Sequence, residues 1–261
     1  LIKEEWMAGF PEGCAVIFGG SGGIGSGVAR TFARSGSDIA VVYRTKRDPA
    51  ERAADDARSA GRRASIHAAD VTDPDAIRAV LDAAIAEHGR VHTIVWGAGP
   101  LVNQRYIAET PREEWRHAIE VEVHGFFNVV TAAIPHMREK GGGSFVTLGS
   151  AGHDYWPARD GMSVAVKASN ESLVKGIARE EGKFNIRANS VLVGVIDAGQ
   201  LHELTRQGQF DQRWVDNTLG LLCLKRWGTP EEIGAACVFF ASNEGSYVTG
   251  QSISVSGGYG V

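Results

Sequence analysis

The chain of 261 residues is poor in cysteine and has no long apolar run. No stretch approaches the about 18 consecutive apolar residues that a spanning helix needs, so no membrane segment is expected. Leu1 to Trp6 carries three charges and lacks the apolar core of a secretory leader. Cys14, Cys223 and Cys237 are odd in number, scattered, and set among apolar neighbours. That pattern predicts buried thiols in a reducing compartment, with the cytoplasm as the default address. Neither the cysteines nor the eight histidines show metal-ligand spacing, and no metal is expected. The net charge of −4 leaves no electrostatic footprint for nucleic acid or anionic lipid. There is no internal repeat, linker or low-complexity segment, so one domain over residues 1–261 is expected.

Glycine is abundant, and its placement is informative. Gly19-Gly20-Ser21-Gly22-Gly23-Ile24-Gly25 follows the apolar run Cys14 to Phe18 and precedes a helical pattern from Val28 to Ala33. Strand, glycine turn and helix together form a phosphate-binding context. Gly19 permits a tight turn, Gly23 lets the backbone approach a pyrophosphate, and Gly25 lets helix and strand pack closely. Backbone N–H groups at the helix start then face the phosphates.

The same alternation continues along the chain. Strands are expected at Asp38 to Tyr43, Ala64 to His67, Val91 to Trp96, Gly143 to Gly149, Ile186 to Val193 and Gln251 to Val255. Helices are expected from Pro49 to Ala60, Pro74 to His88, Thr110 to Lys140, Gly161 to Gly182 and Thr229 to Ala241. Residues 1–12 read as an irregular lead-in. Apolar strands alternating with helices predict an α/β, Rossmann-type doubly wound, mostly parallel seven-stranded sheet with helices on both faces. Ligands of such sheets bind beyond the carboxyl ends of the strands. The polar, aromatic insertion from Gly199 to Leu224 is expected to be a lid over that rim.

With these motifs in order the chain resembles the classical subgroup of the short-chain dehydrogenase/reductase family. The resemblance rests on Gly19-xxx-Gly23-Ile24-Gly25, Asp70-Val71, Ala98-Gly99, Ser150, Lys167, Asn185 to Ser190, Lys225 to Ile233, Thr249-Gly250-Gln251 and Gly257-Gly258. It implies a dinucleotide held by Gly19, Ser21, Gly23, Ile24, Gly25, Tyr43, Arg44, Asp70, Val71, Gly97, Ala98, Gly99, Lys167, Gly194 and Ile196. It also implies a small-molecule substrate and a homotetramer built on the two long helices. The position where a carboxylate would select NAD falls at Tyr43-Arg44. Arg44 can instead bond a 2′-phosphate, with Lys46 and Arg47 nearby, so NADP is expected over NAD.

The resemblance implies a catalytic Ser, Tyr and Lys, joined by an Asn. Ser150 and Lys167 fit the first and last. The Tyr position holds Ser163 and the Asn position holds Glu122. A serine hydroxyl is a far weaker acid than a phenol near pKa 10 and ends short of where a phenol oxygen would be. Glu122 is expected to pair with Lys167 in its place. The threonine expected before Gly19 is Phe18, and the asparagine pair expected before Ala98 is Trp96-Gly97. Tyr155, with His153 and Asp154, follows Ser150 and offers another acid. Dienoyl-CoA reductases of this fold also carry Ser-xxx-Lys with an upstream tyrosine, whose spacing falls at Gly152, close to Tyr155. Three readings follow. One is an oxidoreductase with atypical acid–base residues, and one is an ordinary ketoreductase with a water or Ser163 relaying the proton. The third is a catalytically silent dinucleotide-binding sensor or assembly subunit.

Overall fold

Each apolar run bounded by glycine, proline or charge forms a strand in the computed structural model, which describes residues 9–261. The Leu1 to Trp6 stretch lies outside them. The strands are β1 Cys14–Phe18, β2 Asp38–Tyr43, β3 Ala64–Ala68, β4 Val91–Trp96, β5 Gly143–Ser150, β6 Ile186–Val193 and β7 Ser252–Val255. They form one seven-stranded sheet in the order β3-β2-β1-β4-β5-β6-β7, and each neighbouring pair is parallel. Parallel pairing needs a crossover between neighbours, and helices supply it on both faces.

Alternation along β1 shows how one strand serves two cores. Cys14, Val16 and Phe18 point to the face covered by α3 (Pro74–His88), α5 (Gly125–Glu139) and α6 (Gly161–Glu181). Ala15 and Ile17 point to the face covered by α1 (Gly23–Arg34), α2 (Arg47–Ser59) and α9 (Pro230–Ala241). Asp73 caps α3 ahead of Pro74, accepting from the backbone of Asp75 and Ala76, and Gly89 ends that helix with φ +79°. Thr229 and Glu232 form a capping box at the start of α9.

Two expectations are corrected. The single helix expected over Thr110 to Lys140 is α4 (Arg112–Ile119) and α5 joined by a π-helical turn, Glu120–His124. The backbone stays in the right-handed helical region across the joint, so no glycine or proline marks it. Cys223 is exposed and its thiol donates to the Gly258 carbonyl, because it follows α8 (Gln212–Leu221) in a surface stretch where Leu221 and Leu224 are exposed and only Leu222 turns inward. Cys14 and Cys237 are buried as expected, and burial pushes the Cys14 thiol up to about 12. Among the described residues no helix is long and apolar enough to cross a membrane.

One side chain makes most of the bonds that hold the far end of α9, with the Ser144 hydroxyl adding one to Phe240. The half-buried Arg187 of β6 donates to the carbonyls of Phe240, Ala241, Ser242, Gly245 and Val248. These include orphan carbonyls of the helix terminus and of the turn beyond it. Arg187→Met should leave several without a partner and lower stability by about 2–4 kcal/mol. At about 2–4 °C per kcal/mol for a chain of this size, the melting temperature should fall by at least 4 °C. A melt within 2 °C of the parent would refute this anchor.

Candidate active site

Parallel strands put their carboxyl ends on one rim, and most residues singled out in the sequence collect there. The turn after β1 starts at Gly19, whose φ of +77° is left-handed and where a Cβ would collide with the Gly97 carbonyl. Gly25 packs on the Gly19 carbonyl, which is the close helix–strand approach expected of it. A Cβ on Gly23 would collide with the backbone nitrogen of Gly199, so the segment after β6 rests on this turn. Gly22 caps α1 with no side-chain bond, and no carboxylate lies in the first turn. With Ser21 and Ile24 on either side, this cradle of backbone donors fits the pyrophosphate of a dinucleotide.

At the other end of the rim, Tyr43 is buried and Arg44 exposed. The Asp70 carboxylate accepts from the Thr72 amide (3.0 Å) and hydroxyl (2.8 Å). Those bonds, with a smaller contribution from the Arg44 charge, hold it below the usual carboxylate range. Val71 is buried beside it. Tyr43, Arg44, Asp70 and Val71 lie outside the central cavity, where the adenosine end of a dinucleotide would extend.

The central cavity has a volume of about 300 Å³. Ile24, Gly97, Ala98, Gly99, Gly194 and Ile196 form one wall, and Glu122, Ser150, Ser163 and Lys167 the floor. The insertion supplies the cover through α7 (Gln200–Arg206) and α8. Leu201, Leu204, Phe210 and Trp214 face the space, with Phe210 stacked on Trp214 at 3.7 Å. Between these helices, the Gln209 side chain accepts from the Gln104 amide (3.0 Å) and donates to Asn103 (3.2 Å), fastening the cover to the loop after β4.

Glu122 and Lys167 meet at 2.5 Å, as the sequence leads one to expect, with side chains only 3% and 16% exposed. Three features make this possible. The π-turn carries Glu122 inward, Asn170 of α6 donates to the Glu122 carbonyl (3.0 Å), and Gly99 has no Cβ to collide with the Glu122 carboxylate. Ser150 is buried, and its hydroxyl accepts from the Gly152 amide at 3.1 Å.

Two candidates stand away from the cavity. The Tyr155 ring is 48% exposed and packs edge-on against Tyr259 at 5.3 Å. His153 turns to the buried Glu171, with Nδ1 2.6 Å from Oε2. In their place the structure brings in three residues that the sequence reading missed: Gln104, Asp160 and Tyr259. Gln104 donates to Asp160 Oδ1 at 3.0 Å. Burial pushes the Asp160 carboxyl above its ordinary range, against the Gln104 bond and the Lys167 charge. Burial, Tyr155 and Asp160 together push the Tyr259 phenol upward. One signal for Asp160 was present: positions 160, 163 and 167 fall on one helical stripe.

A family model described as enoyl-(acyl carrier protein) reductase matches residues 19–260. The 3-oxoacyl-[acyl-carrier-protein] reductase FabG of Chlamydia muridarum is 31% identical over 245 residues, covering 94% of this chain and 96% of that protein. The 7alpha-hydroxysteroid dehydrogenase of Escherichia coli K12 is 30% identical over 245 residues, covering 94% and 93%. Among solved structures, a 7 alpha-hydroxysteroid dehydrogenase complexed with NADH and 7-oxo glycochenodeoxycholic acid aligns with a TM-score of 0.89 at 27% identity, over 99% of this chain and 98% of that one. A short-chain type dehydrogenase/reductase from Mycobacterium ulcerans aligns with a TM-score of 0.89 at 28% identity, over 97% and 91%.

Because each member of the buried pair shields the other, Glu122→Gln and Lys167→Met should each destabilise by about 3–5 kcal/mol. The double variant should fall short of their sum, with a coupling of about 1–3 kcal/mol in denaturant titrations. Additive losses would show that the two charges do not depend on each other.

Proposed function

The chain belongs to the short-chain dehydrogenase/reductase family, and from that premise we propose that it is an NADP(H)-dependent oxidoreductase that reduces a carbonyl or an activated C=C bond of a small, partly apolar substrate. The observation that carries this reading is the convergence of the glycine-turn wall, Ser150 and the Glu122-held Lys167 on one covered cavity. Bound in that cradle, the reduced dinucleotide would supply the hydride. Ser150 would orient the substrate oxygen. Lys167, pinned by Glu122, would hold the nicotinamide ribose. The Ser163 hydroxyl is a poor proton donor, so the acid–base chemistry of this site departs from the Ser-Tyr-Lys pattern of the family.

Residues 199–224 act in this reading as the substrate lid of a single dinucleotide-binding domain. The apolar side chains that α7 and α8 turn inward support a partly apolar ligand. A homotetramer built on the long helices α4–α5 and α6 belongs to the same reading, and the exposed Trp115 and Phe127 on the first of these support it. A cytoplasmic address rests on three free thiols.

Selection of NADP rests on Arg44. By fluorescence titration the parent should bind NADPH at least about tenfold more tightly than NADH, roughly 1.4 kcal/mol, and Arg44→Ala should erase most of that margin. NADH binding as tight as NADPH binding in the parent would overturn the assignment. NADPH oxidation is then followed with ethyl acetoacetate, cyclohexanone and cyclohexenone. Preference for cyclohexenone identifies a C=C reductase and preference for the ketones a carbonyl reductase. No consumption with any of them sinks the enzymatic reading in favour of a binding module.

A further inference from the structure

A site that reduces a carbonyl must deliver a proton to the oxygen, and the side chains facing this cavity supply few donors. Lys167 is committed to Glu122, and the hydroxyls of Ser150 and Ser163 are weak acids. Tyr155 and His153 are turned away. Asp160 remains. It is the N-terminal cap residue of α6, and its carbonyl accepts from Ser163 and Val164 (3.1 Å each). Its carboxyl lines the same cavity as Ser163 and Lys167, on the same stripe of the helix.

We propose that Asp160 is the proton donor of this site. Gln104 donates to Oδ1, which fixes that oxygen as an acceptor and leaves Oδ2 to carry the proton. The direction of the Asp160 shift agrees, since burial favours the neutral acid. Charged and titratable groups surround it on several sides. Lys167 lies on its own helix and Glu122 on the π-turn, and these two neutralise each other. Tyr259 approaches from the C-terminal segment. Arg105 turns to Glu114, and Arg159 donates to the Gln104 carbonyl. Among the described residues no cation forms an ion pair with Asp160, and the more distant Lys167 charge is outweighed by burial.

The step balances without a further reagent. The substrate carbon accepts a hydride from the reduced dinucleotide, and the carbonyl π pair moves onto oxygen. That oxygen takes the Oδ2 proton. The products are an alcohol, the oxidised dinucleotide and an Asp160 carboxylate, which regains its proton from solvent when the lid opens. Gln209 accepts from the Gln104 backbone amide, which ties the 199–224 segment to the residue whose side chain orients Asp160.

This inference rests on the oxidoreductase reading, and its test separates the two. In the protein without cofactor, the Asp160 carboxyl resonance is assigned by carbon-13 labelling and its loss in Asp160→Asn. It should titrate above the ordinary value of about 3.9, and a value at or below that overturns the assignment. With the three probes above, Asp160→Asn should lower kcat by about 10²–10⁴ while still binding NADPH. Reduction needs the protonated acid, so parent activity should fall as pH rises through the Asp160 pKa. Asp160→Glu should keep that limb and Asp160→Asn should lose it. Parent turnover that Asp160→Asn retains with its pH limb, or that collapses only in Tyr155→Phe, removes Asp160 alone. A parent that turns over none of the probes removes the oxidoreductase reading and this inference with it.

Discussion

The floor of the cavity depends on burying two opposite charges against each other. Glu122 and Lys167 lie 2.5 Å apart with little solvent around them, and neither is tolerable there without the other. Their neighbourhood follows from that constraint. A π-turn places the carboxylate inward, at the cost of disturbing the regular hydrogen-bond ladder. Asn170 reaches across from α6 to the Glu122 carbonyl. Gly99 stays bare because a methyl group would enter the space of the carboxylate. These four positions act as a set, and a change at one is felt by the others.

A second set lies behind the rim. The resemblance leads one to expect a hydroxyl–amide contact joining the ends of β1 and β4. The chain places Phe18 against Trp96 there, at 5.8 Å between ring centroids and paired in the sheet register. Phe126 packs on the far side of Trp96, and Gly125 leaves room for the indole. The exchange leaves the indole N–H buried without a partner among the described residues, a penalty of about 1–3 kcal/mol that the aromatic packing offsets. A directional polar tie has become a packed one.

Much of this was legible in the residues alone, for identifiable reasons. The strands were readable because their apolar runs end at glycines, prolines or charges, and Asp73-Pro74 and Gly89 punctuate α3 at both ends. The π-turn was not, since Glu120 to His124 contains neither glycine nor proline and keeps helical dihedrals on either side. Cys223 misled because Leu221, Leu222 and Leu224 resemble a core stretch, whereas two of the three are exposed. The Glu122–Lys167 pair could be anticipated because the resemblance sets both positions at one site, with an acid where the pattern has an asparagine. Gln104 meets Asp160 across a sequence separation of 56 residues, and no local pattern reports such a meeting.

The close contact between Gly199 and the turn at Gly23 bears on tolerance to change. A Cβ on Gly23 would reach the Gly199 nitrogen, so any side chain there must displace the start of the 199–224 segment. Gly199 itself has a left-handed φ of +57°, a backbone setting that other residues adopt only with strain. Two glycines, each bare for its own reason, thus form one seam between the turn after β1 and the segment after β6, and a substitution at either is felt at both.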